Sequence, residues 1–430
     1  MSTLPPTQKS ILTFAHLAKK TANRRNTGAM ALAVLFALTL AVPAYAQQFQ
    51  SLYQFPLRKT GSNPSGLLRV NGNFYGTTAL GGKSNAGTVF ELTSEGTLTS
   101  LYSFSKNSSD GRTPTVGPLL RDRSGNLYGT TEAGGDLGCV SVSPSQKGCG
   151  TVFKLSPEGK ETILHSFTGS PTDGATPLAG LTADSAGNLY GTTYVGGAGC
   201  TDGVVGGCGT VFKITPAGVE TVLYSFTGGA DGSIPDYVVL LIDSAGTLYG
   251  TTSTGGDLSC TDSRQGCGVV FKIDPSGNET VLYAFTGGKD PEYPFAGLAR
   301  DASGNLYGTA VAGGNTCRYC NLVFKLDQAG KTTVLYLFPE DIGTASPLLL
   351  DPAGNLYGTT PYGGAFQQGN AFELSNQGVY TSLHDFDETD GLYPEAGLVR
   401  DTAGNLYGTT LQGGNFSCSN GCGVIFEITP

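Results

Sequence analysis

The chain has 430 residues, of which 65 are glycine, and its 34 acidic side chains outnumber its 25 basic ones. This acidic balance argues against nucleic acid as a partner, because phosphate binding needs clustered Lys and Arg. No long stretch places apolar residues at i, i+3 and i+4, so the sequence also argues against a helical fold.

Residues 1–46 differ in composition from the rest of the chain. They hold five basic residues and no acid, an apolar run over residues 29–42, and then Ala44-Tyr45-Ala46. This order predicts a secretory signal peptide cleaved before Gln47. An uncleaved membrane anchor is the alternative, but an apolar run of about 14 residues is short for a bilayer span of ~20. Cleavage leaves 20 basic against 34 acidic residues, a net charge of −14, and we expect no membrane insertion after it.

From residue 47 onward, four short apolar segments recur in a fixed order. Examples of the four segments, in order, are AGLVRD at residues 396–401, GNLYGTT at 187–193, GTVFKL at 150–155 and TVLYSF at 221–226. Each is strand-length and bounded by turn residues, and the D-x-x-G-N sequence between the first two predicts a tight hairpin. The second segment carries a tyrosine in every copy, at spacings of 50 to 62 residues: Tyr75, Tyr128, Tyr190, Tyr249, Tyr307, Tyr357 and Tyr407. Four antiparallel strands per repeat predict a propeller blade.

The number of copies predicts seven blades in a single domain over residues 47–430. Third strands carry Phe90, Phe153, Phe212, Phe271, Phe324, Phe372 and Phe426. Fourth strands carry Phe55, Phe104, Phe167, Phe226, Phe285, Phe338 and Phe386. The region starts with a fourth strand at residues 51–55 and stops after a third at 423–428. We therefore expect an all-β, seven-bladed propeller of four-stranded antiparallel blades, closed by the N-terminal strand joining the last blade.

These segments resemble a known bacterial tandem repeat. GNLYGTT followed by GG, then G-x-VF-x-L, then T-x-LY-x-F is similar to the GloVer repeat of choice-of-anchor proteins, over essentially all of residues 48–430. The resemblance implies a β-propeller-like, exported protein with a secreted, periplasmic or cell-surface location. It implies no established activity.

The long, varied connections from strand two to three and from strand four to one should share one face of the propeller, and the uniform turns should share the other. Variable loops on a fixed scaffold favour binding at the first face. All ten cysteines lie in strand-two-to-three loops, in pairs that predict five local disulfides and an oxidising compartment: Cys139/Cys149, Cys200/Cys208, Cys260/Cys267, Cys317/Cys320 and Cys418/Cys422. Redox catalysis by the C-x-x-C at residues 317–320 and a zinc site are weaker alternatives, because no thioredoxin context and no four converging ligands are evident.

Acidic and aromatic residues in the strand-four-to-one loops are the candidate ligand-binding residues. They are Asp231, Asp290, Asp390, Tyr237, Tyr293 and Tyr393. Exposed tyrosines beside carboxylates would suit a sugar, with rings on pyranose faces and acids bonding hydroxyls; turn chemistry is the competing explanation for the aspartates. We expect no cofactor, although Asp387, Glu388 and Asp390 could hold calcium, which takes oxygen ligands. The two histidines beyond the leader, His165 and His384, occupy slots held by tyrosines in other repeats, which leaves little for a Ser-His-Asp or Cys-His site.

Three functions remain open on the sequence. The first is a monomeric, non-catalytic propeller that binds a glycan or a surface protein. The second is a carbohydrate-active hydrolase or lyase, which would need a pair of carboxylates at the channel mouth. The third is a structural envelope protein without a ligand.

Overall fold

The structure is a computed structural model, and it describes residues 47–56, 60–106, 109–139, 147–201, 206–260, 265–288, 290–312, 320–339, 342, 346–414, 418 and 421–429. These residues form seven antiparallel blades of four strands each around a central axis. Both the all-β class and the seven-bladed architecture predicted from the repeats are confirmed. Among the described residues, no helix has the length and apolarity needed to cross a membrane. The signal peptide predicted over residues 1–46 lies outside the described residues.

The strands follow the order of the sequence repeats, starting with β1 (Gln48–Gln54), which belongs to blade 7. Blade 1 consists of β2 (Ser62–Pro64), β3 (Leu68–Val70), β4 (Asn73–Leu80), β5 (Thr88–Leu92) and β6 (Leu98–Ser103). Blade 2 consists of β7 (Gly111–Pro114), β8 (Leu120–Arg121), β9 (Leu127–Gly134), β10 (Thr151–Leu155) and β11 (Glu161–Ser166). Blade 3 consists of β12 (Gly174–Ala175), β13 (Thr182–Ala183), β14 (Leu189–Thr193), β15 (Val195–Gly196), β16 (Thr210–Ile214) and β17 (Glu220–Ser225). In blades 1 and 2 the innermost strand is interrupted, so two short segments pair with the second strand.

Blades 4 to 7 repeat the same order with fewer interruptions. Blade 4 consists of β18 (Leu241–Ile242), β19 (Leu248–Thr252), β20 (Val269–Ile273) and β21 (Glu279–Ala284), and blade 5 of β22 (Pro291–Arg300), β23 (Leu306–Ala312), β24 (Asn321–Leu326) and β25 (Thr332–Leu337). Blade 6 consists of β26 (Leu349–Leu350), β27 (Leu356–Thr360), β28 (Asn370–Leu374) and β29 (Tyr380–Asp385). Blade 7 consists of β30 (Val399–Arg400), β31 (Leu406–Thr410) and β32 (Val424–Thr429), together with β1.

The ring closes through the two ends of the repeat region. β1 pairs antiparallel with β32, from Gln48 opposite Thr429 to Gln54 opposite Val424, and supplies the fourth strand of blade 7. This pairing covers the outer edge of β32, which would otherwise present unpaired backbone groups. The predicted closure by the N-terminal strand is therefore confirmed.

The D-x-x-G-N turn is held together by its aspartate. In blade 3, Asp184 Oδ1 accepts hydrogen bonds from the backbone N–H groups of Ala186 and Asn188, and Oδ2 accepts from the Asn188 side chain and the Tyr190 hydroxyl. The same tyrosine-to-aspartate bond, 2.9 to 3.3 Å long, recurs in six blades: Tyr128–Asp122, Tyr190–Asp184, Tyr249–Asp243, Tyr307–Asp301, Tyr357–Asp351 and Tyr407–Asp401. One carboxylate thus ties the turn to the second strand, which explains why the D-x-x-G-N-L-Y sequence is repeated.

The core is divided among the boundaries between blades. At each boundary, the phenylalanine after the fourth strand of one blade packs edge-on against the third-strand phenylalanine of the next, with ring centroids 5.0 to 5.4 Å apart: Phe55–Phe90, Phe104–Phe153, Phe167–Phe212, Phe226–Phe271, Phe285–Phe324, Phe338–Phe372 and Phe386–Phe426. Seven clusters of buried apolar residues surround these pairs. Each blade therefore buries its apolar faces only by contacting its neighbours.

The glycine of the L-Y-G-T sequence lies under this aromatic core. A Cβ placed on Gly250 would lie 2.6 Å from Phe271 Cζ and 3.0 Å from Leu240 Cδ2. Close approach of the phenylalanine ring to the second strand therefore requires glycine at this position.

Threonines of the second strands also join neighbouring blades near the axis. Each donates its hydroxyl to a backbone carbonyl in the next blade: Thr130 to Ala179, Thr192 to Val238, Thr251 to Ala296, Thr359 to Ala396, and Thr409 to Ser65. These hydrogen bonds fix the spacing of the first strands, which form the wall of the central channel.

Candidate binding site at the mouth of the central channel

The two families of long loops lie together on one face, here called the variable face. Within single repeats, Gly197 N–H donates to the Asp173 carbonyl at 2.8 Å, and Gly256 N–H donates to the Gly229 carbonyl at 2.9 Å. Each bond joins a strand-two-to-three loop to the strand-four-to-one loop beside it. The arrangement of loops expected from the repeat is the arrangement that the structure has.

The cysteines pair within their loops as the sequence predicts. Four disulfides are described, with Cα atoms 5.3 to 5.8 Å apart: Cys139–Cys149, Cys200–Cys208, Cys260–Cys267 and Cys418–Cys422. Cys320 is disulfide-bonded as well, and Cys317 lies outside the described residues. Disulfide-bonded pairs are compatible with an extracellular location.

The three candidate aspartates fix the ends of the fourth strands. Asp231 accepts hydrogen bonds from the Tyr224 hydroxyl at 3.0 Å and from the Thr227 N–H at 2.8 Å. Asp290 bonds Tyr283 and Thr286 in the same way, and Asp390 bonds His384 and the Asp387 N–H. Their carboxylates therefore organise the start of each loop, and the structure does not bring them together.

The three candidate tyrosines occupy two different kinds of position. Tyr293 and Tyr393 precede prolines and have φ of 47° and 57°, in a slot where other blades have Asn63, Thr113, Thr176 and Ile234, also with positive φ. Tyr237 follows its proline by two residues, has φ of 52°, and is 44% exposed. Of the three, only Tyr237 lines the central channel.

A cavity of about 570 Å³ occupies the central channel. Its walls are mainly apolar and come from the first strands of all seven blades, including Leu67, Val239, Phe295 and Leu349. Tyr237 and Glu395 also line it, and both are exposed to it. Because each first strand starts at the variable face, these two polar residues mark the mouth of the channel, and the apolar residues lie deeper.

Burial and acidic groups perturb the ionisation of the Tyr237 hydroxyl. Burial first, and then the nearby carboxylates of Asp236, Glu132 and Glu395, raise the pKa of Tyr237 to about 12. Burial raises the pKa of the Asp236 carboxyl to about 7 and also raises that of Glu395. Asp236 Oδ1 is buried and has no hydrogen-bond partner among the described residues. A cavity with apolar walls, a lining carboxyl of raised pKa in Glu395 and a second in Asp236 next to the lining Tyr237 is typical of a binding or catalytic site.

Asp236 and Glu395 were missed in the sequence analysis, which singled out Tyr237 alone. The segment is one residue longer than in some other blades: eight positions separate Pro235 from Asp243, as they separate Pro114 from Asp122, whereas seven separate Pro294 from Asp301. Tyr237 has a left-handed conformation within it. Because blade 2 shares the longer spacing, the sequence carried no signal specific to Asp236 and Glu395.

A second aromatic group lies farther out on the variable face. Tyr362 packs edge-on against Tyr393 with centroids 5.4 Å apart, and Tyr362 and Phe366 are 47% and 56% exposed. The candidate Tyr393 thus belongs to an exposed aromatic platform outside the cavity.

Two groups among the described residues bring three metal-ligating side chains within 4.8 Å of one another. They are Cys260, Cys267 and Glu292, and His165, Asp173 and Glu220. The first contains two disulfide-bonded cysteines, which leaves no thiolates to bind a metal. The candidate calcium cluster of Asp387, Glu388 and Asp390 is not one of these groups, and Asp387 Oδ1 accepts hydrogen bonds from its own turn.

The two histidines occupy the fourth-strand positions that tyrosines hold in other blades, as the repeat predicts. His165 packs edge-on against Phe167 at 4.8 Å, and His384 packs edge-on against Phe386 at 4.8 Å. Tyr102, Tyr224 and Tyr283 make the same contact with Phe104, Phe226 and Phe285.

The chain is similar in structure to several solved proteins at low sequence identity. A protein provisionally named a gluconolactonase has 14% identity and a TM-score of 0.41, over 80% of this chain and 96% of its own. A gluconolactonase from Xanthomonas campestris has 14% identity and a TM-score of 0.41, over 75% and 89%. A puromycin-hydrolysing peptidase from Mycobacterium tuberculosis has 11% identity and a TM-score of 0.51, over 84% of this chain and 52% of its own. The likeness to the peptidase concerns the fold alone, and none of the three carries an activity to this chain.

Sequence comparison is more informative about the family. No curated protein sequence matches the chain. A family model described as the Gloeobacter/Verrucomicrobia repeat matches residues 22–261 and 258–430, well over half of the chain. The protein therefore belongs to the Gloeobacter/Verrucomicrobia repeat family.

Proposed function

We propose that this protein is an exported, non-catalytic binding propeller that recognises a glycan at the mouth of its central channel. The observation that carries the proposal is the cavity of about 570 Å³, whose apolar walls end at Tyr237 and Glu395. Drug-sized and oligosaccharide-sized ligands bind in cavities of about 300–1,000 Å³. The disulfides of the variable face and the signal peptide predicted over residues 1–46 support export.

The charge at the mouth narrows the class of glycan. Glu395 lines the channel with Tyr237, the charges of Asp236 and Glu132 also act on the Tyr237 hydroxyl, and the described channel lining contains no Lys or Arg. Carboxylates accept hydrogen bonds from sugar hydroxyls and attract an amino group, but they repel uronic acids and sulfated sugars. The tyrosine ring supplies a flat face for a pyranose. We therefore expect neutral or amino sugars to bind and acidic sugars not to bind.

The left-handed backbone at Tyr237 also favours a role in binding. A bulky residue with φ of 52° is strained by roughly 1–3 kcal/mol. Glycine would relieve that strain, so a tyrosine at this point of the channel is consistent with a contact that its ring makes.

The test measures the binding of soluble oligosaccharides in two ways: as a shift in the melting temperature of the protein and as a Kd from calorimetry. Neutral, amino and uronic-acid oligomers are compared on the wild type, on Tyr237→Ala and on Glu395→Gln. The matched control is Val219→Ala, an exposed apolar residue in a turn on the opposite face. Binding of a neutral or amino sugar that Tyr237→Ala and Glu395→Gln weaken at least tenfold, and Val219→Ala leaves unchanged, supports the proposal. Equal binding by all four proteins refutes the site, and no binding by any glycan would turn the search to a surface protein as ligand.

A carbohydrate-active hydrolase or lyase is the second candidate, because of the Asp236 carboxyl. A pKa of about 7 suits a general acid at neutral pH, and Glu395 lies in the same mouth. The distinguishing variant is Asp236→Asn, which should keep glycan binding and abolish turnover if the protein is an enzyme. Absence of turnover by the wild type on every glycan that it binds would exclude this candidate.

A further inference from the structure

The boundary between blades 2 and 3 contains a group of side chains that the proposed glycan site does not use. His165 lies on β11 of blade 2, Asp173 lies in the loop that follows, and Glu220 begins β17 of blade 3. One ligand atom from each lies within 4.8 Å of the other two, and His165 Nε2 is 3.0 Å from Asp173 Oδ2. An imidazole nitrogen and two carboxylate oxygens therefore converge between two blades.

The repeat provides internal comparisons for this group. At the corresponding position, the boundary of blades 1 and 2 has Tyr102, Asp110 and Glu161, and that of blades 3 and 4 has Tyr224, Asp231 and Glu279. At the boundary of blades 6 and 7, His384 bonds Asp390, but Phe49 stacks on its ring at 3.8 Å where a glutamate would be. Among the boundaries that the structure describes, His, Asp and Glu occur together only between blades 2 and 3.

The individual groups are placed as metal ligands require. Asp173 is held in orientation by the Thr168 N–H at 2.8 Å on Oδ2 and by the Gly174 N–H on Oδ1 at 2.6 Å. Glu220 Oε1 is buried and has no hydrogen-bond partner among the described residues. A buried carboxylate oxygen without a partner costs free energy unless it is protonated or binds a cation. A metal ion would give that oxygen a partner and would cancel the repulsion between the two carboxylates.

The ligand set indicates the class of metal. One imidazole with two carboxylates is typical of zinc and of divalent iron, manganese, cobalt or nickel, whereas calcium takes oxygen ligands alone. Two ligands about 2.1 Å from a tetrahedral metal are about 3.4 Å apart. His165 Nε2 and Asp173 Oδ2 are 3.0 Å apart, so a small separation of the two atoms would admit the ion. Binding would replace the hydrogen bond between these two atoms with coordination of both.

We propose that His165, Asp173 and Glu220 form a binding site for a divalent transition-metal ion of the zinc class, which links blade 2 to blade 3. The site is structural: it lies in the wall between blades, outside the channel cavity and its lining. It is independent of the glycan proposal, since none of its residues contacts the channel mouth.

The test uses the purified protein after treatment with a chelator, with Zn²⁺, Co²⁺, Ca²⁺ and Mg²⁺ added separately. We expect one Zn²⁺ per chain by calorimetry and a rise in Tm of at least about 3 °C at 100 times Kd. Co²⁺ should give a visible absorption band, and Ca²⁺ and Mg²⁺ should give no comparable shift. Absence of Zn²⁺ binding, or a shift with Ca²⁺ alone, would overturn the proposal.

The key variant is His165→Tyr, because the chain itself has a tyrosine at this position in blades 1 and 3, Tyr102 and Tyr224. The tyrosine hydroxyl can still bond Asp173, so the variant should fold with the Tm of the metal-free wild type and lose the Zn²⁺ shift and the Co²⁺ band. Glu220→Gln should weaken Zn²⁺ binding at least tenfold, and it serves as the second variant if His165→Tyr does not fold. His384→Tyr is the matched control and should bind Zn²⁺ like the wild type. An undiminished Zn²⁺ shift in both His165→Tyr and Glu220→Gln would place the metal elsewhere and refute the site.

Discussion

Replacing Glu161 with glutamine should stabilise the protein above neutral pH and leave its stability unchanged in acid. Glu161 begins β11 of blade 2, and its Oε1 is buried without a hydrogen-bond partner among the described residues. It faces Asp110 and the Tyr102 hydroxyl of blade 1. Burial first, and the charge of Asp110 second, raise the pKa of Glu161 from 4.5 to about 7. The folded protein therefore pays a penalty for ionising this side chain that a glutamine does not incur.

The sign and the size of the effect follow from the two pKa values. A raised pKa means that the folded state keeps a proton which the unfolded state releases, so stability is full below pH 4.5 and falls as pH rises to about 7. The difference between the two values corresponds to at most about 3 kcal/mol. Because the side chain retains partial contact with water, screening reduces the expected effect to about 1–2 kcal/mol. Glu279, whose pKa is raised to about 7 by burial and by Asp231, should behave in the same way.

The assay is urea unfolding at pH 4.5, 6, 7 and 8, for the wild type, Glu161→Gln and the control Glu158→Gln. Glu158 lies in the exposed turn just before β11, so its substitution should have little effect on stability at any of these values. Glu161→Gln should gain about 1–2 kcal/mol over the wild type at pH 8, and this gain should shrink toward zero at pH 4.5. A gain that is the same at every pH, or no gain at pH 8, would refute the assignment of a buried, protonated carboxyl at this boundary.

Three further predictions concern the repeat frame and the loops. Gly250→Ala should destabilise the protein by about 1–3 kcal/mol in urea unfolding, because its Cβ would lie 2.6 Å from Phe271 Cζ; an unchanged midpoint would contradict the close packing. Asp184→Ala should cost about 1–3 kcal/mol at pH 7 through lost hydrogen bonds. Burial opposes ionisation, but the bonds from the turn outweigh it and lower the Asp184 pKa below its usual 3.8. The cost should therefore begin to shrink below pH 3.8 and be lost as pH falls through the lowered pKa of the folded state; a cost that is independent of pH would argue against the carboxylate. Replacing Cys200 and Cys208 together with serine should lower stability by about 2–3 kcal/mol, and reduction of the wild type that leaves its Tm unchanged would show that the disulfides contribute nothing.

Function is hard to predict from this sequence because the residues that recur in every blade stabilise the fold. Most polar groups that recur in every blade are used by the frame. The aspartates of the D-x-x-G-N turns bond the second-strand tyrosines, and the aspartates of the strand-four-to-one loops fix the fourth strands. Residues that depart from the repeat carry our two proposals: Tyr237, which lines the channel, and His165, which lies beside Glu220.

The sequence by itself determined the fold class, the number of blades, the closure of the ring and the cysteine pairs that are described. It could do so because each of these depends on local patterns: strand-length apolar segments, turn residues, and cysteines a few positions apart. Seven copies of the same pattern also average out the ambiguity of any one copy.

Only the tertiary structure decided which polar residues share a site. The channel lining brings together Tyr237 from blade 4 and Glu395 from blade 7. The charges of Asp236, also in blade 4, and of Glu132 in blade 2 act on the Tyr237 hydroxyl as well. These residues are far apart in the chain, apart from the neighbours Asp236 and Tyr237, and come near one another because the blades form a ring. Likewise, Asp231, Asp290 and Asp390 look alike in the sequence, yet each is held inside its own loop by backbone N–H groups. Periodicity specifies how each blade folds, but the surroundings of a side chain depend on the neighbouring blades, which a local pattern does not encode.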